Sequence, residues 1–249
     1  MHIRIADFVF HGGDLPSPTG FTVSSLTGWT GGPGVKRGTI ARQGGPGSFS
    51  IKGYATDRVV VFRGRYHGSS IADVQYMNDA LSGLESLEQR ATVAWPESRW
   101  VNAHVDKVRF DPQGALPWAD YQVELWVPDS VKFGDLHTVG PVAANVPATL
   151  HHYGNTPAYP RFVVSGPQPS GYSIFATGKP SFQVNSPLAS GSTDVVDFAT
   201  GRVYRNGSLL VGGVSFPRTW SVPGGVTQPW SFGGTGSGTC TGEIPDTYK

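Results

Sequence analysis

The sequence has few charged residues, one cysteine and no long apolar run. Only 15% of its 249 residues are Asp, Glu, Lys or Arg, whereas soluble domains usually contain about 25%. The net charge of +1 disfavours a protein that binds nucleic acid through a basic face. Cys240 is the single cysteine, which excludes an internal disulfide. It is interpreted as a small buried side chain rather than as a nucleophile.

The sequence also lacks the patterns of a membrane-spanning helix and of a signal peptide. No stretch reaches the roughly 20 apolar residues of a membrane-spanning helix, which predicts that the protein does not insert into a membrane. The first residues, Met1–Asp7, lack the continuous apolar run of a signal peptide. Together these absences predict a protein that is made and kept in a cytoplasm.

The residues that are abundant indicate a β protein with many turns. The chain has 34 glycines and 20 prolines, together well above the roughly 12% of average usage. Aromatic residues make up 12% of the chain, so there is enough apolar surface to bury and disorder is disfavoured. Short strands separated by frequent turns fit this composition.

One helix is predicted, at about residues 70–88. Ser70 is followed by Asp73, which resembles a capping box with Asp in place of Glu. Apolar residues then recur at steps of three and four and form one stripe: Ile71, Val74, Met77, Leu81, Leu84 and Leu87. We expect this stripe to cover a face of a sheet.

A change in composition divides the chain. Residues 1–138 contain 27 charged residues (13 Lys/Arg and 14 Asp/Glu), and residues 139–249 contain 10 (6 and 4). We therefore predict an N-terminal domain, 1–138, and a C-terminal domain, 139–249, with a boundary near 138–141. Both are expected to be β-sandwich-like, the first with its single covering helix.

Two segments have explicit loop chemistry. Residues 31–47 are rich in Gly and Pro and carry Lys36, Arg37 and Arg42, which predicts a long hairpin arm or a mobile loop. In the second half, Asn206-Gly207 is a strong hairpin signal because both residues tolerate positive φ. Asp197 is predicted to hydrogen-bond the amides of a neighbouring turn.

Patterns for catalysis and for metal or cofactor binding are not found. Neither Gly-rich tract, 31–34 or 233–238, ends in Gly-Lys-Ser/Thr, so both are interpreted as flexible hairpins or tails rather than phosphate loops. His151 and His152 are adjacent, and neighbours on a strand point to opposite faces, which disfavours a shared metal ion. There is no Gly-x-Ser-x-Gly motif. Asp194 and Asp197 could supply the two carboxylates of a glycosidase. They lie beside a predicted hairpin, however, and a role in forming the turn is favoured. We predict no enzyme, no cofactor and no metal.

Three aromatic residues of the second half are candidates for stacking on sugar rings. They are Tyr172, Trp220 and Trp230. In a β-sandwich such residues are more often part of the core or of an interface, and both interpretations remain open at this point.

The second half resembles the C-terminal domain of siphophage distal tail proteins and related minor tail proteins. The similar features occur in the family's order: the start at Gly154-Asn155-Thr156-Pro157, the turn Ser165-Gly166-Pro167, the hairpin from Asp197 to Gly207, and the edge Trp220–Gly225. The first half fits as well, with a strand containing Arg63-Gly64, a serine-capped helix and alternating strands.

This resemblance implies a component of the virion at the tail tip. Family members form hexameric rings in which the N-terminal domain surrounds the DNA channel, with DNA only as passing cargo. The C-terminal domain is a galectin-like or carbohydrate-binding-module-like sandwich that points outward as an attachment platform. The implied partners are further copies of the chain, the tail tube protein, the tail hub protein and the end of the tape measure protein. Host surface glycan is a further partner if the platform binds sugar.

Two functions of different classes follow. The first is a structural tail-tip ring, in which Lys36, Arg37 and Arg42 of one copy pair with Glu85 or Glu88 of the next. The second is a lectin-like receptor-binding protein that contacts cell-wall glycan through its C-terminal domain.

Overall fold

The computed structural model describes residues 1–95 and 97–249, and it is mainly β with one helix in the described part. The chain forms two compact units, residues 1–132 with Lys249, and residues 133–248. The division falls six residues before the boundary predicted from composition, and residues 138–141 lie inside a strand. The described helix is too short to span a membrane.

The first unit contains nine strands and the helix. In chain order they are β1 (His2–Ile5), β2 (Phe8–His11), β3 (Gly20–Thr27), β4 (Val35–Lys36), β5 (Tyr54–Ala55), β6 (Arg58–His67), α1 (Ile71–Ser82), β7 (Glu88–Ala94), β8 (Ser98–Pro112) and β9 (Trp118–Val127). Seven of them form one sheet in the order β8-β7-β1-β2-β3-β6-β9, and β8 also pairs with β9. The sheet is therefore closed.

Closure depends on one long strand that bends. The first half of β8 pairs with β7 from Ser98 to His104, and its second half pairs with β9 from His104 to Pro112. The register shifts between Val105 and Lys107, and an irregularity of this kind bends a strand. The expectation of a β-sandwich-like first domain is corrected by this closed sheet, because a bend in one strand cannot be read from alternation alone.

The inward side chains of the closed sheet form a single core. Five aromatic rings meet there at centroid distances of 4.6–6.2 Å: Phe10, Phe21, Phe62, Tyr66 and Tyr121. From α1, Val74 and Leu81 are buried in the same core. The helix thus adds part of its predicted apolar stripe to the core. The prediction is wrong for the first residue of the stripe, because Ile71 is exposed by 55%.

The helix begins as predicted and ends earlier. Ser70 Oγ accepts a hydrogen bond from Asp73 N (3.1 Å), and the Asp73 carboxylate accepts one from Ser69 N (2.8 Å). The prediction of residues 70–88 is wrong at its C-terminal end, because Gly83 caps the helix and the chain turns. Ser86 then takes φ 65° and donates from N to Val105 O. Leu87 is left exposed.

The second unit contains two sheets that share one core. Its strands are β10 (Lys132–Ala143), β11 (Pro147–His151), β12 (Arg161–Ser165), β13 (Tyr172–Ala176), β14 (Phe182–Val184), β15 (Thr193–Asp197), β16 (Arg202–Arg205), β17 (Ser208–Leu209), β18 (Val214–Pro217), β19 (Thr227–Gly234) and β20 (Thr239–Tyr248). Six run in the order β17-β16-β15-β12-β20-β10, and five in the order β11-β19-β13-β14-β18. Phe162 of the first sheet and Trp230 of the second are in contact in the core (4.9 Å between centroids).

The local turn chemistry of this unit is confirmed. Asn206 and Gly207 have φ of 49° and 85° and connect β16 to β17. Asp197 accepts hydrogen bonds from Ala199 N (2.8 Å) and Thr200 Oγ1 (2.7 Å).

The Gly-rich tract 233–238 is a packed hairpin loop rather than a flexible tail. Gly236 N donates to Gln168 Oε1, and a side chain at Gly236 would collide with the carbonyl of Pro167.

Candidate functional site

The candidates for a nucleophile and for a metal site were Cys240 and the adjacent pair His151 and His152. The thiol of Cys240 is buried, and burial raises its pKa, so it is a poor nucleophile. His151 is exposed and His152 is buried, on opposite sides of the chain as expected. Within residues 1–95 and 97–249 there is no group of three metal-ligating side chains.

The buried carboxylate of Asp194 belongs to a network. Arg205 donates to it twice, from Nε (2.8 Å) and Nη2 (2.9 Å), and the Tyr172 hydroxyl donates to Asp194 Oδ2 (3.0 Å). Arg205 also donates to Ser186 Oγ and Pro187 O. Every acceptor oxygen of the carboxylate is thereby occupied by a structural donor.

The three aromatic residues that were candidates for stacking on sugar lie in the core. Tyr172, Trp220 and Trp230 are each exposed by 4% or less and belong to the core of the second unit. A sugar ring needs an open aromatic face, and these rings already contact other core side chains. The core interpretation of these residues is the one that the structure supports.

The segment of Lys36, Arg37 and Arg42 forms a projecting hairpin, which we name the arm (residues 33–56). β4 pairs with β5, and further out Phe49 N donates to Ile40 O (2.9 Å) and Arg42 N to Gly47 O (3.1 Å). No described strand of the closed sheet pairs with the arm. Its apolar side chains are consequently exposed, by 56–68%: Val35, Ile40, Phe49 and Tyr54.

The base of the arm is held by two buried cations. Arg58 Nη1 donates to the carbonyls of Gly28 (2.8 Å), Trp29 (3.1 Å) and Gly31 (3.1 Å). Lys132 Nζ donates to Trp29 O (3.0 Å). Burial lowers the pKa of Arg58, and burial together with the charges of Arg58 and Arg99 lowers the pKa of Lys132 to about 8. These two residues, which the sequence analysis missed, clamp the segment from which the arm leaves the closed sheet.

The two acidic candidates lie after the end of α1, and they differ in whether the carboxylate already has a partner within the chain. Glu85 Oε1 accepts a hydrogen bond from Val108 N (2.7 Å), so that carboxylate is partly engaged within its own chain. Glu88 is exposed at the start of β7. Asp79, which was not among the candidates, is exposed and is oriented by the amides of Gln75 and Asn78 (3.2 and 3.4 Å).

The outer edge of the second unit is apolar. β17 and β18 are the terminal strands of their sheets, and the chain from 208 to 217 connects them without a charged residue. Val211 is exposed by 84%, and Leu209 and Phe216 by 51% each. We name residues 208–217 the outer edge.

A neutral groove crosses the outward face of the five-stranded sheet. Gly233, Ser173, Gln183 and Phe216 are successive cross-strand partners, so the side chains of Ser173, Gln183 and Phe216 form one row that ends at Gly233. Phe175 lies beside this row with 39% of its surface exposed. None of the described residues that line the groove is charged.

Among known proteins, the chain resembles several solved structures in fold. No protein-family model matches the sequence, and no curated protein matches it. Among solved structures, the SPP1 Dit protein, described as a paradigm of the hub adsorption apparatus in phages that infect Gram-positive bacteria, matches with a TM-score of 0.71 at 13% identity, over 91% of this chain and 93% of that chain.

Two baseplate structures match as well. The phage P2 baseplate in its activated conformation with Ca gives a TM-score of 0.58 at 8% identity, over 100% of this chain and 98% of that chain. The phage p2 baseplate with Sr gives 0.58 at 8% identity, over 97% of each chain. The predicted resemblance to siphophage distal tail proteins is thus confirmed as a resemblance of fold.

Proposed function

We propose that this protein is a structural component of the tail tip of a long-tailed phage, where six copies form a ring that connects the tail tube to the hub or baseplate. The observation that carries the proposal is the fold likeness to a tail hub protein over nearly the whole of both chains. A likeness that includes both compact units supports a common architecture better than a match to one of them.

The surface of the first unit supports the ring. Its arm exposes four large apolar side chains that have no partner surface within the described chain. Exposed apolar residues grouped on one element mark a site of protein association. Copies of the first unit would surround the channel through which DNA passes, with the tail tube protein on one side and the hub protein and the end of the tape measure protein on the other.

The surface of the second unit supports an attachment platform. The outer edge ends two sheets at once, so its backbone groups are available for an added strand. Arg202 and Arg218 are both exposed near the Pro217 end of β18, and no acidic residue occurs from 198 to 242. This surface fits an extended acidic and apolar segment of another tail protein.

Reconstruction of the assembled tail tip tests the proposal. We expect six copies of the chain around the channel, with the first unit inside and the second unit outside. Finding the chain only in peripheral trimeric fibres, with no copies around the channel, would falsify the ring. The number of copies and their placement are decided on the particle, because the tail tube can act as a template for the complete ring.

The neutral groove gives a specific reason to keep the glycan-binding alternative. Uncharged hydroxyl and amide groups beside an exposed phenylalanine suit a neutral polyhydroxylated ligand better than an ionic one. The test is binding of the full chain to host cell walls. A Phe175→Ala variant should lose the binding, and a Val211→Ala variant, altered on the outer edge, should keep it. Equal binding by both variants would exclude this groove.

A further inference from the structure

We propose that the arm of one copy docks on the exposed face of α1 in the next copy. The inference rests on the proposed ring and specifies the contact that would build it. Exposed residues of α1 form one continuous face, because positions three and four apart are neighbours on a helix. The face consists of Ile71, Ala72, Gln75, Tyr76 and Asp79. We call it the α1 face.

The arm and the segment that contains α1 have opposite charges. The arm contains four cations, Lys36, Arg37, Arg42 and Lys52, and no acidic residue occurs from 15 to 56. Residues 68–89 contain four acids, Asp73, Asp79, Glu85 and Glu88, and no Lys or Arg. Within the described part of the chain, none of these eight residues has an ion pair. The two segments therefore have equal and opposite charges that are not neutralised within one copy.

The arm exposes apolar side chains beside its cations. On the arm, Lys36 lies opposite Tyr54 and Ile40 opposite Phe49, so cations and apolar groups alternate along the hairpin. Arg42 and Lys52 also lie beside aromatic rings, 5.7 Å from the Phe49 centroid and 5.9 Å from that of Tyr54.

The α1 face has the matching arrangement. Ile71 and Tyr76 are exposed by 55% and 67%, and the exposed Asp79 is three residues after Tyr76 and therefore its neighbour on the helix. Apolar groups surrounded by complementary charges are what the centre and rim of a protein interface require.

The geometry of the arm allows contact with a neighbour. Gly44 at the turn is eight residues beyond Lys36, so a fully extended arm projects about 26 Å beyond β4. The base of the arm is fixed by Arg58 and Lys132, so the direction in which it leaves the closed sheet is defined. An arm and an α1 face are different surfaces, and a contact between different surfaces repeats head to tail, which gives a ring when the rotation between copies closes.

Thiol cross-linking tests the contact directly, and the chain is suited to it because its one cysteine, Cys240, is buried. Ile40→Cys is introduced into one preparation of the full chain and Gln75→Cys into another, and the two are mixed with a short bifunctional maleimide. We expect a cross-linked dimer that forms only in the mixture. Leu136→Cys, also exposed but in the second unit, replaces Gln75→Cys as the matched control and should give at least tenfold less dimer.

Charge reversal then tests the cause. Reversal of the arm by R37E/R42E should lower the yield of dimer at least tenfold, and D79K/E88K in the other preparation should restore it. The yield should also fall as salt rises, since salt screens exposed charges. A yield equal to the Leu136→Cys control, or one unchanged by R37E/R42E, overturns the proposed contact. A six-copy ring in the tail-tip reconstruction would in that case leave the proposed function standing.

Discussion

The buried ion pair of the second unit gives the sharpest prediction about stability. The side chain of Asp194 has no exposed surface, and its partner Arg205 lies directly opposite it on β16. Replacing Arg205 by Met keeps much of the side-chain volume but leaves a buried carboxylate with a single donor, the hydroxyl of Tyr172. Removing one partner of a buried pair costs about 3–5 kcal/mol of unfolding free energy. In a unit of this size the melting temperature should fall by roughly 10–20 °C.

Companion variants separate the causes of this loss. Tyr172→Phe removes one hydrogen bond and should cost only about 1 kcal/mol. Arg202→Met lies on the same strand but is exposed, and its effect should stay within about 0.5 kcal/mol. The double variant Asp194→Leu/Arg205→Met should be more stable than Arg205→Met, because no unpaired charge is left in the core.

Calorimetry of the full chain measures these differences. If Arg205→Met lowers the melting temperature no more than Arg202→Met does, the buried carboxylate of Asp194 does not need the charge of Arg205 for the stability of the fold. If the double variant is less stable than Arg205→Met, the loss comes from packing and the charge argument is refuted.

Three further predictions concern α1, Lys132 and the sites of proteolysis. Leu81→Ala should cost about 2–5 kcal/mol because this side chain is buried in the core, whereas Leu87→Ala should leave urea unfolding nearly unchanged; equal effects would contradict the observed end of α1. Lys132 has a folded pKa of about 8, below its unfolded value of about 10.5, so the unfolded state binds more protons between these values. Stability should therefore rise between pH 8 and 10.5 relative to a Lys132→Met variant, and parallel pH profiles would refute the assignment. Limited proteolysis should cut the arm and spare residues 138–141, which lie within β10; a first cut at 138–141 would contradict the observed strand.

The first half of the chain shows what a sequence determines by itself. The serine cap of α1, the apolar spacing of Val74 and Leu81, and the alternation of β9 depend on residues within a few positions of one another. They were predictable because helix and strand periods place neighbours in sequence on defined faces. The Asn206-Gly207 turn was predictable for the same reason, since its backbone angles are a property of those two residues.

The tertiary structure decided the features that join distant residues. The closed sheet needs the register shift in β8 and its two separate partners, which no local pattern encodes. Whether Trp230 faced a sugar or the core depended on the six-stranded sheet that packs against it. The network of Asp194 depended on the register between two strands. The clamp of Arg58 on the arm joins residues about thirty positions apart, and such pairings are fixed only when the whole sheet has formed.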